Sequence, residues 1–511
     1  MPPNEISRRE FNQLAIVSAF SLALSSCKVH GILDTQDFEA DILLDSEPEI
    51  ELSLTAKPDR VILFEKKETT VWQYHGEVIN GPPDTLRTIP NSYLGPIITV
   101  NRGATVRIHF INELTEPSII HWHGLHVPVD VDGHPRLAIN SGEKYTYTFK
   151  VSDRAGTYWY HPHPHGRTAI QVYAGLVGLF IVHDEEEKTL GLPEGDFDLP
   201  LVIQDRRFDE EGQLSYSGNG MMDQMIGFLG NQFLINGNID TNFSVKTHPY
   251  RFRLLNGSNS RIFKLAWDDN TPLTILGTDG GLLEEPLQRS YVTLAPAQRV
   301  DLWVDFSTNQ IGSQKTLVNL PFNSFGGEVN YPILTANIED TIDHEFTLPD
   351  KLSTFQNHSI EMAVNKNAPR VFNLAMTHGM SWTLNGRSFE MVSVAEDEVV
   401  ALGDTEIWEF RNLSGNGMGM MGGMNLPHPM HIHGLQFQII EREISTSGRE
   451  VWETLKDGFI DEGWHDTVLV MPGESVKVLL KFEDYTGLYL YHCHNLEHED
   501  MGMMRNYRVD P

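Results

Sequence analysis

The sequence predicts an all-β chain made of three consecutive β-sandwich units. Three observations carry that expectation: short alternating strands from about residue 51 onward, a scarcity of long helical patterns, and a repeat that returns in the last third. Val106-Arg107-Ile108-His109-Phe110, Tyr145-Thr146-Tyr147-Thr148-Phe149, Tyr250-Arg251-Phe252-Arg253-Leu254 and Val300-Asp301-Leu302-Trp303-Val304 alternate with period two, between turns rich in Gly, Pro, Asn and Asp. That period marks half-buried strands, and regular turns mark sandwiches or barrels.

The first 26 residues are read as a signal peptide. Arg8 and Arg9 precede an apolar run from Leu14 to Leu24. That run is about half the ~20 residues a spanning helix needs, so it reads as a signal core resembling a twin-arginine export signal. Leu24-Ser25-Ser26-Cys27 resembles a lipobox, with Cys27 the acylated first residue of the mature chain. Cleavage near Ser25 or Ser26 with Cys27 incidental is the plainer alternative. The lipobox is preferred because Cys27 falls where the apolar run ends. Residues 27–50 are acidic and lack steady periodicity, as a tether would.

The repeat sets the units beyond. Gly156-Thr-Tyr-Trp-Tyr-His161-Pro-His163 matches Gly487-Leu-Tyr-Leu-Tyr-His492-Cys-His494. Upstream of each stands His-x-His-Gly, at His121–Gly124 and His431–Gly434, and "SGEKYTYTF" from Ser141 parallels "PGESVKVLL" from Pro472. The middle third has comparable strands, "YRFRLLN" and "LAPAQRVDLWVDF", but neither histidine pair. Units are therefore expected over 51–185, 198–350 and 351–511, with ligand residues in the first and third only.

Composition narrows the function classes. The 511 residues are 40% hydrophobic and 10% aromatic, enough for several cores, so the chain is not disordered throughout. Asp and Glu number 70 against 38 Lys and Arg, a net charge of −32 that repels phosphate backbones and disfavours nucleic acid. Two cysteines exclude a disulfide scaffold.

The chemistry lies in four clusters: His121-Trp-His123, His161-Pro-His163, His428-Pro-Met-His431-Ile-His433, and His492-Cys493-His494 continuing to His498 and Met503. On a strand, residues i and i+2 share a face, so each His-x-His offers two imidazoles from one side. Eight imidazoles are too many for one ion and suit a cluster of about three. Cys493 must face away from His492 and His494, toward a second centre. With His428, His498 and a distant Met503 it makes the soft His₂Cys set of blue-copper sites. A lone His in a strand is ordinarily a satisfied polar residue, and His126, His134, His165 and His465 are read that way.

These motifs, their order and the three-unit repeat resemble the three-domain multicopper oxidases, a family that includes laccases and bacterial cuprous oxidases. The resemblance covers about residues 51–511. It implies cupredoxin-like Greek-key sandwiches and four copper ions per chain. Cys493, His428, His498 and Met503 would bind the type 1 copper; His121 and His431 the type 2 copper; and His123, His161, His163, His433, His492 and His494 the type 3 pair. Four one-electron oxidations at type 1 would then reduce O₂ to two waters at the other three. Asp132 and Glu499 match family acids that relay protons, although Asp132-Gly133 is also a strong turn signal. Asp130 and Asp500 are weaker candidates for that role.

Methionine placement bears on the donor. Met418, Met420, Met421 and Met424 lie in a glycine-rich stretch that runs into His428, and Met221, Met222 and Met225 cluster in the middle third. Thioethers are soft ligands suited to Cu(I), though Met also serves as an adaptable core filler. Cu(I) is therefore the expected donor, with phenols or aromatic amines the alternative. A non-catalytic envelope scaffold or a copper carrier does not explain the full ligand set. A monomeric, exported protein is expected, in the periplasm or cell envelope, touching membrane only through a lipid on Cys27.

Overall fold

A computed structural model describes residues 47–216, 220–324, 326–343, 346–377, 381–413 and 426–511. The signal segment, Cys27 and Met418, Met420, Met421 and Met424 lie outside the described residues. Among the described residues six sheets occur in three pairs, built from residues 50–183, 198–341 and 370–510. Helices among the described residues are short, the longest being the seven-residue Thr168–Ala174.

Each pair opens in the same way, which shows the repeat in three dimensions. Ile50–Phe64 pairs in parallel with Thr105–Asn112, which pairs antiparallel with Lys144–Lys150. Asp198–Arg206, Pro249–Asn256 and Arg299–Asp305 repeat that pattern, as do Arg370–Met376, Thr405–Asn412 and Glu474–Lys481. The parallel "SGEKYTYTF" and "PGESVKVLL" segments thus occupy equivalent strands, and "RVDLWVD" of the middle unit is the third copy.

Alternation puts one face of each sheet into a core, so both sheets of a pair feed one apolar cluster. Trp122, Phe149 and Phe180 meet in the first, Phe252, Trp267 and Leu302 in the second, and Trp408, Phe410 and Tyr491 in the third. Full burial of each such side chain stabilises the fold by about 1.5–3 kcal/mol. A further cluster spans the units: Trp159 and Val172 of the first pack with Val202 and Leu255 of the middle and Leu496 of the third. The chain between the middle and third units runs from 346 to 369 without a strand, and seats Leu352 against the middle unit.

Candidate metal centres

Strand register brings the histidine motifs together. In the first unit, Ile120–His123 pairs antiparallel with Gly156–Pro162, setting His121 opposite His161. In the third, His428–Ile432 pairs with Gly487–Cys493, setting His431 opposite His492 and Met430 opposite Cys493. Met430, Ile432, Tyr491 and Cys493 enter the third core, so their alternate neighbours His431 and His492 face the other way.

All eight of these histidines are fully or almost fully buried. His121 and His433 stack with ring centroids 3.7 Å apart, and so do His123 and His431, so imidazoles of the first unit interleave with those of the third. The rings are anchored on one edge by oxygens. His121 Nδ1 donates to the carbonyl of Asp132 at 2.7 Å, His431 Nδ1 to the carbonyl of Asp466 at 2.7 Å, and His433 Nδ1 to Asp132 Oδ2 at 2.8 Å. His161 Nδ1 donates to the Pro162 carbonyl at 2.9 Å and His492 Nδ1 to the Cys493 carbonyl at 3.1 Å.

With the proton on Nδ1, each Nε2 carries a lone pair. Those lone pairs point at one another. His121 Nε2 lies 3.3 Å from His431 Nε2, and His433 Nε2 lies 3.0 Å from His492 Nε2, with His163 Nε2 3.3 Å from the latter. No proton bridges the first two pairs, whereas a cation would satisfy both nitrogens at once. Such separations suit two nitrogens on one ion at the ~2 Å of imidazole–metal bonds. His161 Nε2, His163 Nδ1 and both nitrogens of His494 have no hydrogen-bond partner. His494 sits 5.0 Å from His123 and 5.3 Å from His161, ring to ring. Burial pushes the His492 pKa down to about 3, so it stays neutral and able to ligate.

Across the Gly487–Cys493 strand lies the second centre. His428 Nδ1 is 3.5 Å and His498 Nδ1 3.7 Å from Cys493 Sγ, and the two nitrogens are 3.2 Å apart. His498 Nε2 donates to the Met225 carbonyl at 3.1 Å, which leaves its Nδ1 as the lone pair facing the sulfur. Trp382 packs on both rings, and Met503 is buried in the same core. Burial pushes the Cys493 thiol up and His428 down to about 3, so a thiolate here needs an adjacent cation. The residues fit metal ions at both places.

One helical turn, Leu496–Asp500, serves both centres, with Asn495 capping it through Oδ1. It turns His498 to Cys493, while Glu499 lies 3.3 Å from His492 and 3.6 Å from His163. Burial raises the Glu499 carboxyl well above its ordinary value, which favours its protonated form beside the cluster. Asp132 is buried against His121 and His433 while Gly133 (φ 93°) makes the tight turn, so the turn and the contact with the histidines coexist. Asp500 instead accepts from the backbone N–H of Thr168 and Ala169, and Asp130 is exposed beside Arg136. His126, His134 and His465 bond to Gly434 and Asp484, to Asn506, and to Glu462, and His165 packs at a tilt against Phe389.

Two multicopper oxidase family models match residues 70–187 and 363–511. The multicopper oxidase mco of Staphylococcus haemolyticus is 33% identical over 81% of this chain and 82% of its own length. The chain belongs to the multicopper oxidase family. The laccase of Bacillus subtilis is 30% identical, over 83% of this chain and 90% of its own. The crystal structure of the McoA multicopper oxidase of Aquifex aeolicus superposes with a TM-score of 0.76 at 33% identity, covering 91% of this chain and 97% of that one. This multicopper oxidase is accordingly a copper-dependent oxidoreductase that uses O₂, on a cupredoxin-type fold.

Sequence reading missed three neighbours of these centres. Asp466 accepts from His123 Nε2 at 3.0 Å, Arg299 clamps Asp466, and Trp382 walls the Cys493 site. No spacing signals them, because Asp466 and Arg299 reach their partners across 343 and 167 positions of chain.

Proposed function

We propose that this oxidase takes electrons from a soft metal cation, Cu(I), at the Cys493 centre. Cys493, His428, His498 and Met503 would hold the type 1 ion, His121 and His431 the type 2 ion, and the other six histidines the type 3 pair, four coppers in all. Bound copper would supply one-electron transfer at the first centre and four-electron reduction of O₂ at the other three. The chain's own contribution is position: Cys493 is the covalent neighbour of His492 and His494 and lies on the opposite face of one strand, so the two centres are separated by a single backbone thickness. Asp132 and Glu499 would carry the protons that O₂ reduction consumes, each next to cluster imidazoles.

One observation supports the donor. The short helix Met221–Ile226 lies directly on the Cys493 centre, its Met225 carbonyl accepting from His498 Nε2 and from Trp382 Nε1, while Met221 and Met222 are exposed. Two solvent-facing thioethers thus stand one turn from Met225, the residue bonded to the ligand His498, where Cu(I) would be captured. The net charge of −32 favours a cationic donor. Export by the twin-arginine signal, with Cys27 lipidated, would place this activity in the cell envelope of a monomeric protein. Labelling with a radioactive fatty acid, lost in Cys27→Ser, tests the anchor.

Oxygen uptake by copper-loaded protein decides the donor. A larger kcat/KM for Cu(I) than for a simple phenol, after correction for spontaneous oxidation, is the expected result. Preference for the phenol would make it a laccase-type enzyme, the activity named for the Bacillus relative.

A further inference from the structure

We propose that Arg299 and Asp466 form a positioning pair through which the middle unit, which supplies none of the eight histidines, fixes the orientation of His123 and His431. The inference rests on reading the histidine cluster as the copper site for O₂.

Asp466 is fully buried and holds one imidazole from each ligand-bearing unit. Its Oδ1 accepts from His123 Nε2 at 3.0 Å, and its backbone carbonyl accepts from His431 Nδ1 at 2.7 Å. That leaves Nδ1 of His123 and Nε2 of His431 for the cluster, and His123 Nδ1 has no other partner. The two rings are stacked within 13° of parallel, so neither turns without the other.

Arg299 in turn fixes the carboxylate. Its Nη1 and Nη2 donate to Asp466 Oδ1 at 2.8 Å and Oδ2 at 2.5 Å, the planar two-point grip that only a guanidinium gives. The remaining N–H groups donate to the carbonyls of Thr157 (2.8 Å), Ala297 (3.1 Å) and Asp279 (3.0 Å), so all five donors are used. Thr467 Oγ1 adds a fourth donor to the carboxylate at 2.9 Å. The histidine motif itself makes room: a Cβ on Gly124, directly after His123, would strike Asp466 Oδ2 and come within 2.7 Å of Arg299 Nη2. Outer groups that orient metal-binding imidazoles in this way are typically worth about ten- to a hundredfold in metal affinity or activity.

The test compares Arg299→Lys, Asp466→Asn and the double variant as copper-loaded proteins. Readouts are the type 2 electron paramagnetic resonance signal, the absorption of the coupled type 3 pair, and copper affinity. The blue type 1 band checks that the fold is intact. A changed type 2 signal and about ten- to a hundredfold weaker cluster copper, with the blue band unchanged and the double variant no worse than Asp466→Asn, is expected. Wild-type cluster spectra in both single variants, even with a lowered Tm, would overturn the pair and leave it a plain inter-unit tie. If Asp466→Asn does not fold, Arg299→Lys, which keeps the charge and loses the grip, decides alone. Wild-type protein with a blue band but no cluster copper would overturn the underlying reading, and the pair with it.

Discussion

In the middle unit Arg251 and Arg253 stand two residues apart on the buried strand Pro249–Asn256, as His121 and His123 do on Ile120–His123. Each guanidinium ends among carboxylates: Arg251 on Asp301 and Glu187, and Arg253 on Asp198 through Nε at 2.7 Å and Nη2 at 2.8 Å. The imidazoles of the outer units end on one another, lone pair to lone pair. One sandwich design thus buries polar pairs in two ways. These arginines are closed by carboxylates, from the middle unit itself and from Glu187 on the short helix Glu185–Lys188 before it, while the outer units leave their imidazoles to be completed by an ion. A closed set gives stability, and an open set gives a site.

The comparison breaks most completely at Cys493. Cys493→Ser should remove the blue absorption and all donor-dependent O₂ uptake in a folded protein, and retained turnover would show that electrons enter elsewhere. Next comes the closed set. Arg253→Met strands the Asp198 carboxylate and takes one of two guanidiniums from Asp301 and Glu187, which keep Arg251, and should cost about 3–5 kcal/mol in denaturant unfolding. Activity per bound copper should be unchanged in the fraction that folds.

The open set is sharpened by removing the metal. His428 and His492 have pKa values near 3 in the folded chain against 6.5 for an ordinary histidine, because burial disfavours the charged ring. The unfolded chain therefore binds the extra protons. Stability of the copper-free protein should be complete above pH 6.5 and fall as the pH drops toward 3, by about 1.4 kcal/mol per pH unit for each such histidine. Copper at a hundred times its Kd should add about 2.7 kcal/mol at neutral pH. Flat stability between pH 6.5 and 4 would mean these rings are not held neutral. A smaller effect is expected at Asp132→Asn: about tenfold slower O₂ reduction, with the type 1 spectrum unaltered. The smallest is Met221→Leu with Met222→Leu, a few-fold rise in KM for Cu(I) with phenol oxidation unaffected, since one or two soft ligands at an exposed site contribute little. Equal effects on both donors would make the helix a wall and no more.

How much of this was legible in the sequence follows from how far each contact reaches along the chain. Alternation made the strands readable, and His-x-His on a strand fixed which side chains share a face, so the cluster and the opposed Cys493 could be placed from spacing alone. The repeat of "SGEKYTYTF" in "PGESVKVLL" became an equivalent strand because it carried both a turn and a period-two core pattern. Asp466 was invisible because its role depends on a pairing of Thr467–Val470 with His428–Ile432 and on an arginine from another unit. Gly124 is legible in the sequence only as part of a motif, while the reason for it, a carboxylate and guanidinium passing where a Cβ would sit, exists only in three dimensions. Met225 stands out in the sequence for its sulfur, yet what reaches His498 is its backbone carbonyl.

The spread of the ligands along the chain also governs how the protein can be made. His121 meets His431 across 310 positions and His163 meets His492 across 329, and the thiol with its two imidazoles is assembled from residues 428–498. A nascent chain exposing only its first 480 residues has six of the eight cluster histidines and, of the other site, only His428. Neither pocket exists until synthesis has delivered the strand Gly487–Cys493 and that strand has found its register against His428–Ile432. The last strand is thereby a check on the whole polypeptide: a chain cut short of it, or paired one residue out of register, lacks Cys493, His492 and His494 in place, so neither ligand set is complete until the molecule is finished and correctly threaded.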